Sequence, residues 1–532
     1  VNHPGTRRRR LLLAIAVPIL TFVALAAWAF SSPVAATPDE DFHLASTWCG
    51  LGERAGLCED PQDGTTGRLV PAAIPPATCY AFHPDESAAC WDPNQTGLTR
   101  VDRANADGLY PKVFYAVMSV FASPNIPASV MAMRLFNAAF AVGLVTVVFW
   151  ALPRWMRPAL FVSVAATSVP LGVFVLASIN PSSWAILSGA TVWITLYAAT
   201  RTHGRRRLAL AALAVLGGVI GAGARADSAV YAAFAVILAL ILGLRAGRQH
   251  AVPLIAGAVI VALSAAFYLS ASQGGAVVSG LGGGSAGLSG DQIASNFLEV
   301  PSLWAGALGG WALGWIDTNL PAAVRVLAMA VFAGALFVGL RRVSLRRGIA
   351  IGMAFAAIWL VPFLLLYQSR TVVGDLVQPR YILPLMVMLV GVASLRPDAA
   401  LAWRGARLWL GGLALTVAYS VALHTNTQRY TTGVDQLSFD PGAGAEWWWS
   451  LAPSPLATWV VGTIAFAGLF VCAHFLLPVE QAEPDPSSPA TSELTPAAER
   501  GLGTTQIDPG EPQDQRETAS LPVAQHHTAE KA

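Results

Sequence analysis

Charge is what this sequence has least of. Only 12% of its 532 residues are Asp, Glu, Lys or Arg, against 55% hydrophobic, a balance that excludes a soluble globule of this length. Lysine is almost missing: it occurs at Lys112 and Lys531 alone, so nearly every basic residue is Arg. With a formal net charge of +2 and no single basic face, the chain has no reason to bind nucleic acid. It also lacks a Walker A sequence and any G-x-G-x-x-G loop opening a helix after a strand, so no nucleotide cofactor is expected. The Gly-rich run 280–290 has no Lys-Ser/Thr end and reads as a flexible loop.

What remains is a series of apolar runs, each of about 17 to 25 residues, the length a helix needs to cross roughly 30 Å of hydrocarbon. About twelve spans are expected, near 11–31, 128–151, 158–178, 182–200, 208–224, 228–244, 252–272, 321–340, 349–367, 381–395, 408–424 and 456–477. Arg7 to Arg10, Arg154 and Arg157, Arg201 to Arg207, Arg245 and Arg248, Arg341 to Arg347, and Arg396 to Arg407 fall on alternate connections. Basic residues favour the cytoplasmic side, so both termini are expected inside. The expected fold is therefore an all-α polytopic protein of the cell membrane. It divides into a basic cytoplasmic segment 1–10, a transmembrane domain 11–477 with outer loops 32–127 and 273–320, and a tail 478–532. The tail is rich in Pro, Ser, Glu, Gln and Thr and is expected to be disordered in the cytoplasm.

Two apolar stretches are read as interfacial helices and not as spans. Leu109 to Ala122 is short, and counting it would invert every later Arg cluster. Ile293 to Trp315 is broken by Pro301 and Gly309-Gly310, and its Trp304, Trp311 and Trp315 suit the headgroup region. Arg7 to Arg10 and Pro33-Val34-Ala35-Ala36 resemble the ends of a signal peptide, but an apolar core of about 20 residues exceeds the usual 7 to 15 and favours a retained anchor. Cys49, Cys58, Cys79 and Cys90 all fall in the first outer loop, where an oxidising compartment permits two disulfides. Three pairings are open. A metal site competes poorly, because there is no CxxC pair and His43 and His83 lack zinc-finger spacing.

The centres of the expected spans carry no Asp, Glu, Lys or Arg; Arg134 and Arg325 lie near helix ends, from which they are expected to snorkel to the interface. Polar groups able to do chemistry collect instead at the outer face: Asp39, Glu40, Asp41, His43, Tyr110, Lys112, Asn180, Arg225, Asp227, Asp317, Arg370, Asp375, Arg380 and Tyr381. Asp39 and Glu40 follow Thr37-Pro38, where Thr37 could cap a helix with the acids in its first turn. The functional alternative is a carboxylate that takes a proton from a hydroxyl or, at Asp39, holds a divalent metal such as Mg or Mn. Arg380, at the outer boundary, suits a phosphate headgroup, or ordinary lipid phosphates.

The stretches Thr37-Pro38-Asp39-Glu40-Asp41-Phe42-His43, Ile179-Asn180-Pro181, Leu313 to Pro321 and Val377 to Pro384 resemble the landmarks of a bacterial membrane-protein family, domain of unknown function 2142. That family is grouped by similarity with the GT-C glycosyltransferases. Tyr110-Pro111-Lys112-Val113-Phe114-Tyr115 is similar to the Pro-Pro-x-x-Tyr-Tyr segment of such enzymes, with Tyr110 in place of the first Pro, and Pro379 stands where Gly is more usual. The resemblance implies an inverting transfer of a sugar from a polyprenyl-phosphate donor to a hydroxyl of an envelope glycan or lipid acceptor. It implies Asp39 and Glu40 as catalytic carboxylates and His43, Lys112, Arg225, Arg380 and Tyr381 as substrate-binding residues. Two other classes fit the same spans: a lipid-linked-glycan flippase or transporter, and a non-catalytic envelope-assembly subunit.

Overall fold

The computed structural model describes residues 4–62, 66–245, 247, 250–275 and 287–476. The 478–532 tail and most of the Gly-rich run lie outside them. In chain order the helices are α1 (Pro4–Phe30), α2 (Glu40–Trp48), α3 (Val113–Ser119), α4 (Ile126–Ala151), α5 (Arg157–Ser168), α6 (Leu171–Leu176), α7 (Ser182–Thr200), α8 (Gly204–Ala224) and α9 (Ala226–Gly243). They continue as α10 (Ala251–Ser270), α11 (Gly290–Ala305), α12 (Ala322–Gly339), α13 (Leu345–Ser369), α14 (Leu383–Ser394), α15 (Ala399–Ala402), α16 (Ala406–Thr431) and α17 (Pro455–Leu476).

Among the described residues nine helices are long and apolar enough to cross a membrane: Leu12–Phe30 of α1, then α4, α8, α9, α10, α12, α13, α16 and α17. The other three expected spans are helical but differ in kind. Residues 158–178 break into α5 and α6 at the cis Val169–Pro170 bond, since proline removes a backbone donor and crowds the preceding turn. Helix α7 is buried along all 19 of its residues and α14 along all 12. A helix enclosed by other helices need not be uniformly apolar. Thr191 and Thr195 in α7 turn their hydroxyls back to the carbonyls of Leu187 and Thr191, each at 2.7 Å.

Small residues let these inner helices close on one another. A Cβ on Gly189 of α7 would lie 2.8 Å from the carbonyl oxygen of Pro384 at the start of α14, and one on Gly391 would lie 2.4 Å from the ring of Trp193. Backbone cannot yield as a flexible side chain can. Gly189→Ala is therefore expected to destabilise the protein by about 1 to 3 kcal/mol through overpacking, read as a lowered thermal midpoint in detergent; Gly334→Ala, where a Cβ meets nothing within 4 Å, is the control.

The two stretches set aside from the spans are too short to cross. Leu109 to Ala122 contains only the 7-residue α3, and α11 has 16 residues with Pro301 inside it before the chain bends at Gly309. Two tryptophans of the second stretch have protein partners: Trp304 donates to the carbonyl of Ile358 and Trp315 to that of Ala35. The first long loop adds a two-stranded antiparallel sheet, β1 (Arg68–Pro71) on β2 (Leu98–Val101), the one sheet among the described residues. Disulfides join Cys49 to Cys58 and Cys79 to Cys90, and Cys472 is free and buried.

Candidate functional site

Beyond α1 the chain runs without regular structure to Asp39, and each carbonyl from Pro33 to Pro38 is held by a different group. Arg134 takes that of Pro33 at 2.6 Å, Tyr80 that of Val34 at 2.5 Å, Trp315 that of Ala35 at 2.9 Å and Tyr430 that of Ala36 at 3.3 Å. The backbone N–H of Glu40 takes that of Thr37 at 3.0 Å and Asn180 that of Pro38 at 3.1 Å. A loop braced so completely can hold unfavourable backbone angles. Ala35 and Asp39 both have positive φ, 65° and 60°.

Glu40 is part of the brace. It is fully buried, and both its oxygens are 3.1 Å from a guanidinium nitrogen of Arg134. One of them also accepts from the N–H and hydroxyl of Thr37, at 2.9 and 3.0 Å. Thr37 is thus a donor to Glu40 and not the cap of α2; the residue before that helix is Asp39, whose side chain makes no cap bond. Arg134 does not snorkel. It is fully buried and also holds the carbonyls of Ala29 and Ser32.

Asp39 differs from its neighbour in being 38% exposed. It pairs with Arg380, and Arg103 is 3.5 Å away. Burial pushes its carboxyl up, but Arg380, aided by Arg103, more than offsets this and holds it below the ordinary value. Arg380 comes from the turn Pro379–Tyr381 that leads into α14 and is only 2% exposed. Its Nε and Nη1 have no hydrogen-bond partner among the described residues, leaving buried donors that an anion would satisfy. The ring of Tyr381 lies 5.1 Å from the Arg380 guanidinium and 4.8 Å from that of Arg225. Arg225, between α8 and α9, is held by Asp227 through two 2.8 Å bonds and faces Tyr110 at 5.6 Å. Residues from four distant segments thus meet around one partly open carboxylate.

His43 joins them from the next turn of α2. Its Nδ1 is 2.9 Å from the hydroxyl of Tyr115, and its Nε2 is buried without a partner among the described residues. Burial, helped by Arg380, Arg225 and Arg103 against the opposing pull of Asp39, lowers its pKa to about 3. The unfolded chain therefore binds one more proton than the native state between about pH 6.5 and 3, and stability contributed by the neutral ring is lost as pH falls through that window. The wild type should lose about 1.4 kcal/mol per pH unit there from this group. Thermal melts at pH 6.5 and 4.5 should show a smaller loss for His43→Gln than for the wild type; equal losses would place the acid sensitivity elsewhere.

Other expected residues lie apart. Lys112 is exposed and lines a separate polar depression with Glu53, Asp60, Arg68 and Asn105. Asp317 is bonded to Arg429 at 3.0 Å and to the backbone N–H of Phe82 at 3.2 Å, a structural tie between the first loop and α16. Among the described residues no three His, Cys, Asp or Glu side chains come together as metal ligands, and Asp39 lies between guanidiniums whose charge opposes a divalent cation. The donor set does not fit Mg or Mn. Arg103, which also bonds Asp41 at 2.7 Å, carries no sequence signal of its place: it is far from any span, and only the fold of the loop returns it to Asp39.

No curated protein matches the chain. A family model described as predicted membrane protein, DUF2142, matches residues 22–389. That interval holds Asp39, Arg225 and Arg380, and most of the membrane helices. The chain is thus a multi-pass membrane protein that belongs to the DUF2142 family.

Proposed function

We propose that this protein is an inverting, GT-C-like glycosyltransferase that moves a sugar from a polyprenyl-phosphate donor to an acceptor hydroxyl at the outer face of the membrane. The observation that carries the reading is the pairing of a partly exposed, positive-φ carboxylate, Asp39, with a buried Arg380 whose Nε and Nη1 have no hydrogen-bond partner among the described residues. The donor phosphate would engage Arg380, with the charge of Arg225 nearby, and loosen the hold on Asp39. Released from its ion pair, the carboxylate becomes more basic. The acceptor hydroxyl gives its proton to Asp39 and its oxygen attacks the anomeric carbon. The carbon–oxygen bond to phosphate breaks, and polyprenyl phosphate leaves with the electron pair, stabilised by Arg380 and Arg225. Glu40 is assigned a positioning role, because Arg134 and Thr37 occupy both of its oxygens.

The reading also takes α5 with α6, α7 and α14 as crossings, giving about twelve, with both termini cytoplasmic and the Asp39 end outside. In a Cys472→Ala background, Gly204→Cys and Ser344→Cys should resist an impermeant thiol reagent in intact cells, and Asn94→Cys should react. The reverse pattern would invert the orientation. The function itself is tested by reconstituting purified protein with radiolabelled polyprenyl-phosphate sugars and an envelope-glycan acceptor. Label covalently joined to acceptor supports transfer. Movement of intact lipid-linked sugar across the vesicle without a new bond would make the protein a flippase, and neither outcome would leave an assembly subunit.

A further inference from the structure

The ends of α7 and α9 and the starts of α8 and α10 meet at the end of the bundle away from Asp39. Gly243 of α9 has no room for a Cβ, because Thr200 and Tyr197 of α7 lie against it, and a Cβ on Gly257 of α10 would lie 3.1 Å from Val236 and 3.7 Å from Leu196. This close approach brings together Arg201, one residue past α7, Arg245, two past α9, and His250, which precedes α10. Arg207 joins from the first turn of α8, its Nε donating to the carbonyl of Thr202 at 2.7 Å and its Nη2 lying 2.8 Å from Nδ1 of His203. The 18 residues of α9 separate this point from Arg225, roughly 25 Å.

Arginines at such connections are ordinary; a buried imidazole among them is not. His250 is 3% exposed, yet neither its Nδ1 nor its Nε2 has a hydrogen-bond partner among the described residues, and the buried Nε of Arg201 has none either. Burial, with the charges of Arg207, Arg201 and Arg245, pushes the imidazole below its ordinary pKa, and no carboxylate is among the charges acting on it. Residues 200–207 and 243–250 contain no Asp or Glu. Among the described residues none of the three arginines is in an ion pair. The carbonyl of Leu244, which Arg245 could have capped, is taken by Arg346. A buried polar group without a partner costs free energy. Water would satisfy the imidazole and leave the three positive charges uncompensated, whereas an anion answers both.

We propose that His250, Arg201, Arg207 and Arg245 hold a phosphate group, one oxygen accepting from the imidazole and the others from the guanidiniums. Donors on four different helix ends exceed what a carboxylate can accept; phosphate has more oxygens, spread over a tetrahedron. The same chemistry is offered by the headgroup of a bilayer phospholipid and by free phosphate in the adjoining water. The site uses none of the residues around Asp39 and does not depend on the glycosyltransferase reading.

The test is protection from phenylglyoxal, which modifies arginine, with the full chain in a phosphate-free maltoside detergent and each product mapped to its residue by mass spectrometry. Inorganic phosphate should slow modification of Arg201 and Arg245 saturably and leave the exposed Arg325 unchanged. His250→Leu should raise the half-protecting concentration about tenfold, the worth of one hydrogen bond to a charged group. If its thermal midpoint falls, Arg245→Gln, at an exposed position and read at Arg201, replaces it with the same expectation. Nanodiscs of phosphatidylglycerol without added phosphate identify the source. Protection already present there, and removed by the variant, makes the headgroup the occupant; protection only by added inorganic phosphate makes it the free ion. Arg380 is mapped in the same digest, so the two ends of the bundle are read separately. No protection from either source, equal protection at Arg325, or protection that the folded variant does not weaken would overturn the site.

Discussion

Asp39→Asn is expected to lower sugar transfer by about 10² to 10⁴, the range for a lost general base, while leaving the protein folded. The amide keeps the size of the carboxylate and an oxygen for Arg380 but has almost no basicity. The fold should survive because six separate bonds hold the Pro33 to Pro38 loop, and none of them uses the Asp39 side chain. Arg380→Ala should weaken donor binding as well as turnover, since it removes a phosphate ligand and the group that sets the Asp39 pKa. Asp41→Asn should be mild: that carboxylate bonds Arg103, not Arg380. Transfer at the wild-type rate by well-folded Asp39→Asn would remove the carboxylate from the chemistry.

Glu40→Gln should act quite differently, on stability before activity. Its carboxylate neutralises a guanidinium that is fully buried, and removing one partner of such a pair strands the other charge at a cost of about 3 to 5 kcal/mol. The expected result is a large fall in thermal midpoint and in yield, with activity declining because the loop that presents Asp39 loosens. Arg134→Met should be at least as damaging, as it also releases the carbonyls of Ala29, Ser32 and Pro33. Combining the two changes should cost less than the sum of the single ones, since neither then leaves a buried charge. A Glu40→Gln protein with unchanged melting and abolished transfer would return this residue to a chemical role.

Much of the molecule was legible from residue order alone. Class, helical content and the position of most spans follow from long apolar runs, because hydrocarbon demands backbone bonds satisfied within each segment and side chains that tolerate lipid. Confinement of four cysteines to one loop announced two disulfides, and the Asp39 and Arg380 motifs marked two residues that the fold joins across 341 positions. Pairing and partnership were another matter. Of three disulfide connectivities, the loop's path chose Cys49 with Cys58 and Cys79 with Cys90.

Two adjacent acids, Asp39 and Glu40, look interchangeable in sequence. Tertiary structure separates them, burying Glu40 against the guanidinium of Arg134 and leaving Asp39 partly exposed beside a buried Arg380. Arg134 looked like a snorkelling cation because a sequence shows depth along its own helix and not what faces it. The same holds for α7 and α14, which other helices enclose along their whole length. Hydropathy is a property of a segment against lipid, so it fixes which segments enter the membrane; burial by protein, ion pairing and loop bracing depend on neighbours distant in the chain, and only the packed structure decides those.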